Sequence, residues 1–185
     1  DVPAVDRVTL TRAIALDTIA AAAACPSVAQ VFVVTDEGAL VALAFDIPGL
    51  RFVPEGDAQG IDAAVALGAK AAAERMPRAA LLGDLPALRP ADLDAALAAA
   101  SAVDRGVVAD AEGTGTTLVT ARSGIPLRTS FGDGSFARHV ELGCVPLEVE
   151  AGSSLRRDVD TSGQLDAAAA LGVGPRTAAV LAPPR

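Results

Sequence analysis

A three-layer α/β domain with a mostly parallel mixed sheet is the fold class this sequence predicts. Three observations predict it. Short apolar runs alternate with longer Ala-rich stretches, the alternation that stacks helices on a sheet. Gly and Pro punctuate the ends of those stretches, where helices start and stop. Aromatic residues make up 3% of the 185, with no Trp or Tyr, while hydrophobic residues make up 51% and are largely Ala. Such a core of Ala, Leu and Val must pack closely, which suits helices lying against a sheet.

Taken in order, residues 8–24 carry apolar side chains at helical spacing and read as a helix. Val31-Phe32-Val33-Val34-Thr35 is a buried strand, and Arg51-Phe52-Val53 a short one. A loop containing Gly56 and Gly60 opens an Ala-rich helix over residues 61–76, closed before Pro77. Residues 79–82 read as a strand. Pro90 stands near the first turn of a helix over residues 90–101, with Asp92 and Asp94 favouring its positive end. Residues 106–110 and 117–120 read as strands and 135–142 as a short helix. Residues 164–171 form the last helix, stopped by Gly172, and the tail over 182–185 reads as loose. No repeat or linker interrupts the pattern, so residues 1–185 read as a single domain able to bury a proper core.

Charge and composition exclude whole classes of function. The net charge is −8, so no basic excess exists to displace counterions from a nucleic-acid backbone. No charge-free run of 18 apolar residues occurs, which argues against a membrane span. Asp6, Arg12 and Asp17 interrupt the Ala-rich start, which is therefore no signal peptide. Cys25 and Cys144 stand far apart, and a reduced, cytoplasmic protein is the expectation, although a disulfide is open to them.

The chemistry-bearing residues are aspartates in two motifs. Gly83-Asp84-Leu85-Pro86-Ala87-Leu88 follows the apolar run at residues 79–82, which puts Asp84 at the carboxyl end of a strand, where ligands of such sheets bind. Arg156-Arg157-Asp158-Val159-Asp160-Thr161 is the other. Strand alternation would turn Asp158 and Asp160 to one face, toward one ion. Hard oxygen ligands suit a small hard cation, with substrate phosphates filling its remaining positions. The plain alternatives are a polar loop at Asp84, a solvated turn at Asp158 and Asp160, and a capping box formed by Thr161 and Gln164.

Two glycine-rich segments add to this. In Glu112-Gly113-Thr114-Gly115-Thr116-Thr117, backbone N–H groups and hydroxyls could cradle an anion, or form an ordinary hairpin turn. In Phe131-Gly132-Asp133-Gly134-Ser135, Ser135 sits where a helix N-cap belongs, and its N–H would meet an acidic ligand. His139 is the sole histidine, which excludes a multi-histidine metal site and reads as a surface residue. No GxxxxGK[ST] loop and no GxSxG elbow is present.

On these residues the chain resembles the guanylyltransferase family of deazaflavin coenzyme F-420 biosynthesis. The resemblance runs over residues 6–177. It rests on Ala15-Leu16-Asp17-Thr18, Val33-Val34-Thr35-Asp36, residues 83–88, residues 112–117, the Phe131-Gly132 and Gly134-Ser135-Phe136-Ala137-Arg138-His139 blocks, residues 155–161 and residues 171–177. It implies a Rossmann-like nucleotidyltransferase fold and an enzyme that joins GTP to phosphoenolpyruvate or 2-phospho-L-lactate, releasing pyrophosphate. It implies Mg2+ on Asp84, Asp158 and Asp160. Thr116, Gly132 and Ser135 then hold the phospho-acid, and Gly56, Gly60, Asp62 and Gly83 the nucleotide. Where the family usually carries Asn in the base-binding loop, this chain has Asp62, which can accept from guanine but lacks the amide donor. The family's opening strand and lysine-containing loop fall ahead of Asp1, and without that strand Val31 to Thr35 would want a sheet neighbour.

The expected reaction is attack by a phosphate oxygen of the acid on the α-phosphorus of GTP. That oxygen is already anionic, so alignment and charge neutralisation matter more than a general base. The Ala-rich composition, with Lys70 the only lysine, suggests a high-GC bacterial genome, and bacterial members of the family tend toward phosphoenolpyruvate. Hand-off of the product to the next pathway enzyme is expected. Rival readings are a sugar-phosphate or molybdopterin nucleotidyltransferase and a non-catalytic nucleotide-binding module.

Overall fold

The computed structural model describes residues 6–73 and 75–182. The chain runs α1 (Arg7–Ala23), β1 (Val31–Val34), α2 (Gly38–Leu43), β2 (Leu50–Val53), α3 (Ile61–Ala71), β3 (Arg78–Leu81) and α4 (Pro90–Ala100). It continues through β4 (Arg105–Ala109), β5 (Thr116–Ala121), α5 (Ser135–Glu141), β6 (Val145–Pro146), a 3-10 turn (Ser154–Arg156), α6 (Ser162–Leu171) and α7 (Pro175–Leu181). The tail expected to be loose lies, at residues 183–185, outside the described residues.

The predicted α/β class is present, with the strands in two sheets rather than one mostly parallel sheet: a parallel pair and a mixed sheet of four. β1 and β2 pair in parallel, Val31 opposite Leu50 and Val34 opposite Val53. The other strands lie in the order β3-β5-β4-β6. β5 is antiparallel to both of its neighbours, and β4 pairs with β6 in parallel. The antiparallel share has a simple cause. A loop of only six residues, 110–115, joins β4 to β5, and so short a link makes a hairpin rather than a crossover.

Alternation along β4 and β5 builds the layers. Val108 and Leu118 face Leu85, Leu88, Leu93 and Ala96, with Ala21 and Ala22 of α1 and Cys25 just beyond it. Val107 and Val119 face the opposite way, against Cys144, Leu127, Phe131 and Phe136. α1 serves two packing clusters, because its Leu16 and Ile19 pack with Leu40, Ala44 and Ile47. Both cysteines are free and buried, so the optional disulfide is not formed.

Several elements differ from the sequence reading. α2, β6 and the 3-10 turn are too short to show a periodicity. α3 stops at Ala71 rather than residue 76, and Ala73 takes a left-handed conformation with φ 59°. Asp158 and Asp160 lie in an irregular segment, not a strand. The helix over 162–171 is not the last, since α7 follows. Its anchor comes from 160 residues away, which no local pattern reveals. The buried Asp17 carboxylate of α1 accepts from the backbone N–H groups of Arg176 at 3.2 Å and Thr177 at 2.7 Å, capping α7 in place of a local side chain. Arg176 also pairs with Asp46 at 2.9 Å. A Cβ on Gly174 would collide with that Asp17 carboxylate, and the Gly174 N–H donates to Pro86 O at 2.8 Å.

These contacts hold the Asp84 loop. Thr18 of α1 accepts the Leu85 N–H at 3.0 Å, and Pro86 O is held by the segment that Asp17 anchors. Asp17→Ala leaves a buried and a part-buried N–H donor unpaired and should lower unfolding free energy by roughly 2–3 kcal/mol. Urea unfolding checks this, with a lower midpoint at an unchanged slope as the expected outcome.

Candidate active site

Asp84 stands just past β3, whose pairing continues as Leu82 N–H donates to Thr117 O at 3.0 Å. Its Oδ1 is buried and has no hydrogen-bond partner among the described residues. Burial, and next the charge of Asp160, push its pKa up to about 6. Gly83 beside it is exposed, with open space where a Cβ would go.

Asp158 reaches the same place by a different route. The Arg156 guanidinium donates to the carbonyls of Ala109 and Asp110, at 3.2 Å and 2.8 Å, tying the 3-10 turn to the end of β4. Asp92 at the start of α4 accepts from the Ser154 N–H at 2.8 Å and its hydroxyl at 2.6 Å, and Leu155 is fully buried. The segment after the turn therefore has little freedom. Asp158 is 7% exposed, and its Oδ1 too has no partner among the described residues. Burial, then the charges of Asp84, Asp110 and Asp160, raise its pKa to about 6. Asp160 is exposed, and Thr161 forms the expected capping box with Gln164.

Carboxylate oxygens of Asp110, Glu112 and Asp158 all lie within 4.8 Å of one another. Asp110 and Glu112 carried no signal of this in the sequence, because Arg156 brings them to Asp158 from 46 residues away. Glu112 pairs with Arg157 at 2.8 Å. Asp110 has a structural task as well. Its Oδ1 accepts from Thr114 N at 2.9 Å and its Oδ2 from Gly115 N at 2.7 Å, while its carbonyl accepts from Gly113 N at 3.3 Å. A Cβ on Gly115 would collide with that carboxylate. The hairpin reading of this segment is thus correct for its backbone, and those N–H groups are spent. Thr116, the first residue of β5, has its hydroxyl 3.0 Å from Nδ1 of His139.

The Phe131–Ser135 loop follows the same pattern. Ser135 is not the N-cap of α5. Gly134 is, in the left-handed region at φ 67°, and the Ser135 N–H donates to Gly132 O at 3.0 Å rather than facing a ligand. Ser135 is buried. Gly132 has φ 106°, a conformation that favours glycine. Arg138 braces the loop by donating to the carbonyls of Ser130, Phe131 and Asp133. Asp62, at the start of α3, accepts from the Phe131 N–H at 3.0 Å, so the loop assigned to the nucleotide is tied to the loop assigned to the acid. Gly60 caps α3 at φ 82°, and Gly56 donates to Asp36 at 3.0 Å. His139 is not at the surface. It is fully buried, between Thr116 Oγ1 and Ser130 N.

A family model described as "Guanylyl transferase CofC like" matches residues 3–163. The chain belongs to this family. Three relatives, each named phosphoenolpyruvate guanylyltransferase, agree with that placement. One from Thermomonospora curvata is 51% identical over 95% of this chain and 78% of its own length. One from Streptomyces coelicolor is 50% identical over 94% and 82%. One from Geodermatophilus obscurus is 51% identical over 95% and 79%.

In this guanylyl transferase the carboxylates fit a cation. Two buried oxygens lacking partners, with further carboxylates around them, are hard donors facing uncompensated negative charge. A pH dependence follows. Asp84 and Asp158 sit above their ordinary pKa, so their contribution to stability is full below about pH 4 and is lost as pH rises through about 6. Asp158→Asn removes one such group. For the metal-free protein, the melting temperature of the variant minus that of its parent should climb between about pH 4.5 and about pH 7. Calorimetric melts across that range check it, and a flat difference contradicts it.

Proposed function

We propose that this chain transfers the guanylyl group of GTP to the phosphate of phosphoenolpyruvate, releasing pyrophosphate, in deazaflavin coenzyme F-420 biosynthesis. The observation that carries the proposal is the pair of buried, unpartnered oxygens on Asp84 and Asp158, in a member of this family. Asp84, Asp158 and Asp160 would hold Mg2+. When bound, that ion neutralises phosphate charge and fixes the reacting groups in line. Thr116, Gly132 and Ser135 would hold the acid, with the hydroxyls of Thr116 and Ser135 as its donors. Gly56, Gly60, Asp62 and Gly83 would line the nucleotide. Asp62 has one oxygen on the Phe131 N–H and the other left to accept from guanine.

The chain's own task is alignment. Attack by an anionic phosphate oxygen needs no strong base, and the braced Phe131–Ser135 loop presents the acid in one orientation. An acidic protein must hold two polyanions here. Arg156 and Arg157, the nearby cations, are already engaged by carbonyls and by Glu112. The choice of phosphoenolpyruvate over 2-phospho-L-lactate is supported by the relatives' shared name. The reaction belongs in the cytoplasm, with the product passed to the next enzyme of the route. Among the described residues no helix is long and apolar enough to cross a membrane.

Pyrophosphate release by the full gene product tests the proposal. GTP with phosphoenolpyruvate should turn over. CTP or UTP with a sugar phosphate should not. Turnover with phospholactate alone would move the choice of acid and keep the guanylyl transfer. Asp84→Asn, Asp158→Asn and Asp160→Asn should each cut kcat by roughly 10²-fold or more while the fold stays intact, as loss of charge stabilisation in a transition state does.

A further inference from the structure

His139 is the sole histidine, it is fully buried, and both ring nitrogens are bonded. The Ser130 backbone N–H donates to Nε2 at 2.9 Å. A backbone N–H can only donate, so Nε2 carries no proton. The neutral ring then keeps its one hydrogen on Nδ1, 3.0 Å from Thr116 Oγ1. Burial holds the ring below its ordinary pKa, in keeping with a neutral imidazole. The ring therefore donates to the Thr116 oxygen. The hydrogen of that hydroxyl cannot point back at the ring, and among the described residues no other group accepts it.

We propose that His139 is a positioning residue that fixes the Thr116 hydroxyl as a hydrogen-bond donor to the anionic group of the phospho-acid. This rests on the role proposed for Thr116 above. The arrangement carries selectivity with it. A hydroxyl locked as donor rewards a carboxylate or phosphate oxygen and penalises any ligand presenting its own O–H or N–H there, because two donors would face each other. The same ring also sets the neighbouring loop. Its Nε2 holds Ser130, and its ring meets Phe131 edge-on with centroids 5.0 Å apart, one residue before Gly132.

Two amide substitutions separate these tasks. An Asn amide can place its nitrogen near the Nδ1 position and keep the donor to Thr116. A Gln amide can place its oxygen near Nε2 and keep the acceptor for Ser130 while losing that donor. In steady-state pyrophosphate release by the full gene product, His139→Gln should raise KM for phosphoenolpyruvate on the order of tenfold, as expected for a lost hydrogen bond to a charged group. KM for GTP should move by less than about twofold. His139→Asn should restore most of the affinity that His139→Gln loses. In a Thr116→Val background His139→Gln should add nothing, since it acts through that hydroxyl. An unchanged KM for phosphoenolpyruvate in His139→Gln, or an equal loss in the Thr116→Val background, overturns the proposal.

A second readout needs no turnover. With one histidine, a 15N imidazole spectrum of the labelled protein holds a single ring. The neutral tautomer with hydrogen on Nδ1 is expected, and hydrogen on Nε2 or a protonated ring overturns the proposal. A protein that shows the Nδ1 hydrogen yet makes no pyrophosphate with either phospho-acid overturns the substrate reading, and with it the ligand named here, while the donor assignment stands.

Discussion

Uncompensated negative charge at the end of β3 is the constraint on which this structure turns. Asp84 and Asp158 each bury a carboxylate oxygen to which none of the described residues donates. Left so, each costs free energy, and both carboxyls are accordingly hard to ionise. A fold keeps such groups only by bracing them from several sides. Thr18 holds the backbone after Asp84, Arg156 pins the segment before Asp158 to the end of β4, and Asp92 clamps the turn leading into it. Stability given up at the carboxylates is balanced by these contacts, and a cation would remove the cost.

A second consequence concerns how the site recognises anions. Glycine-rich loops suggest backbone cradles, yet the N–H groups of Gly113, Thr114, Gly115 and Ser135 are all used within the protein. Hydroxyls remain, on Thr116 and Ser135, each just beyond a loop made rigid by those bonds. Asp110 shows the logic. It consumes two N–H groups to fold the hairpin tightly, and the close approach leaves room only for glycine at Gly115. Rigidity around these hydroxyls substitutes for a nest of free amides.

Much of this was legible in the sequence. Five strands and five helices carry apolar patterns strong enough to place them, all but the end of α3 within a few residues, and the two aspartate motifs single out Asp84, Asp158 and Asp160, whose charges act on one another. What escaped depends on distant partners. α7 is invisible locally because its cap, Asp17, lies in the first helix. Asp110 and Glu112 join the carboxylates only through the Arg156 tie. Ser135 resembled a cap, but a left-handed Gly134 took that place and moved the serine inside the helix. His139 read as a surface residue because a lone histidine on a short helix has no pattern. Its burial follows from packing with Phe131 and β5.

Diffraction at the manganese absorption edge tests most directly whether the two orphaned oxygens exist to hold a cation. The crystals would contain the full gene product, a non-hydrolysable GTP analogue, phosphoenolpyruvate and Mn2+. An anomalous peak about 2.0–2.3 Å from Asp84 Oδ1 and Asp158 Oδ1 is the expected result. A peak held by Asp110 and Glu112 alone, or no peak between Asp84 and Asp158 with nucleotide bound, would contradict it.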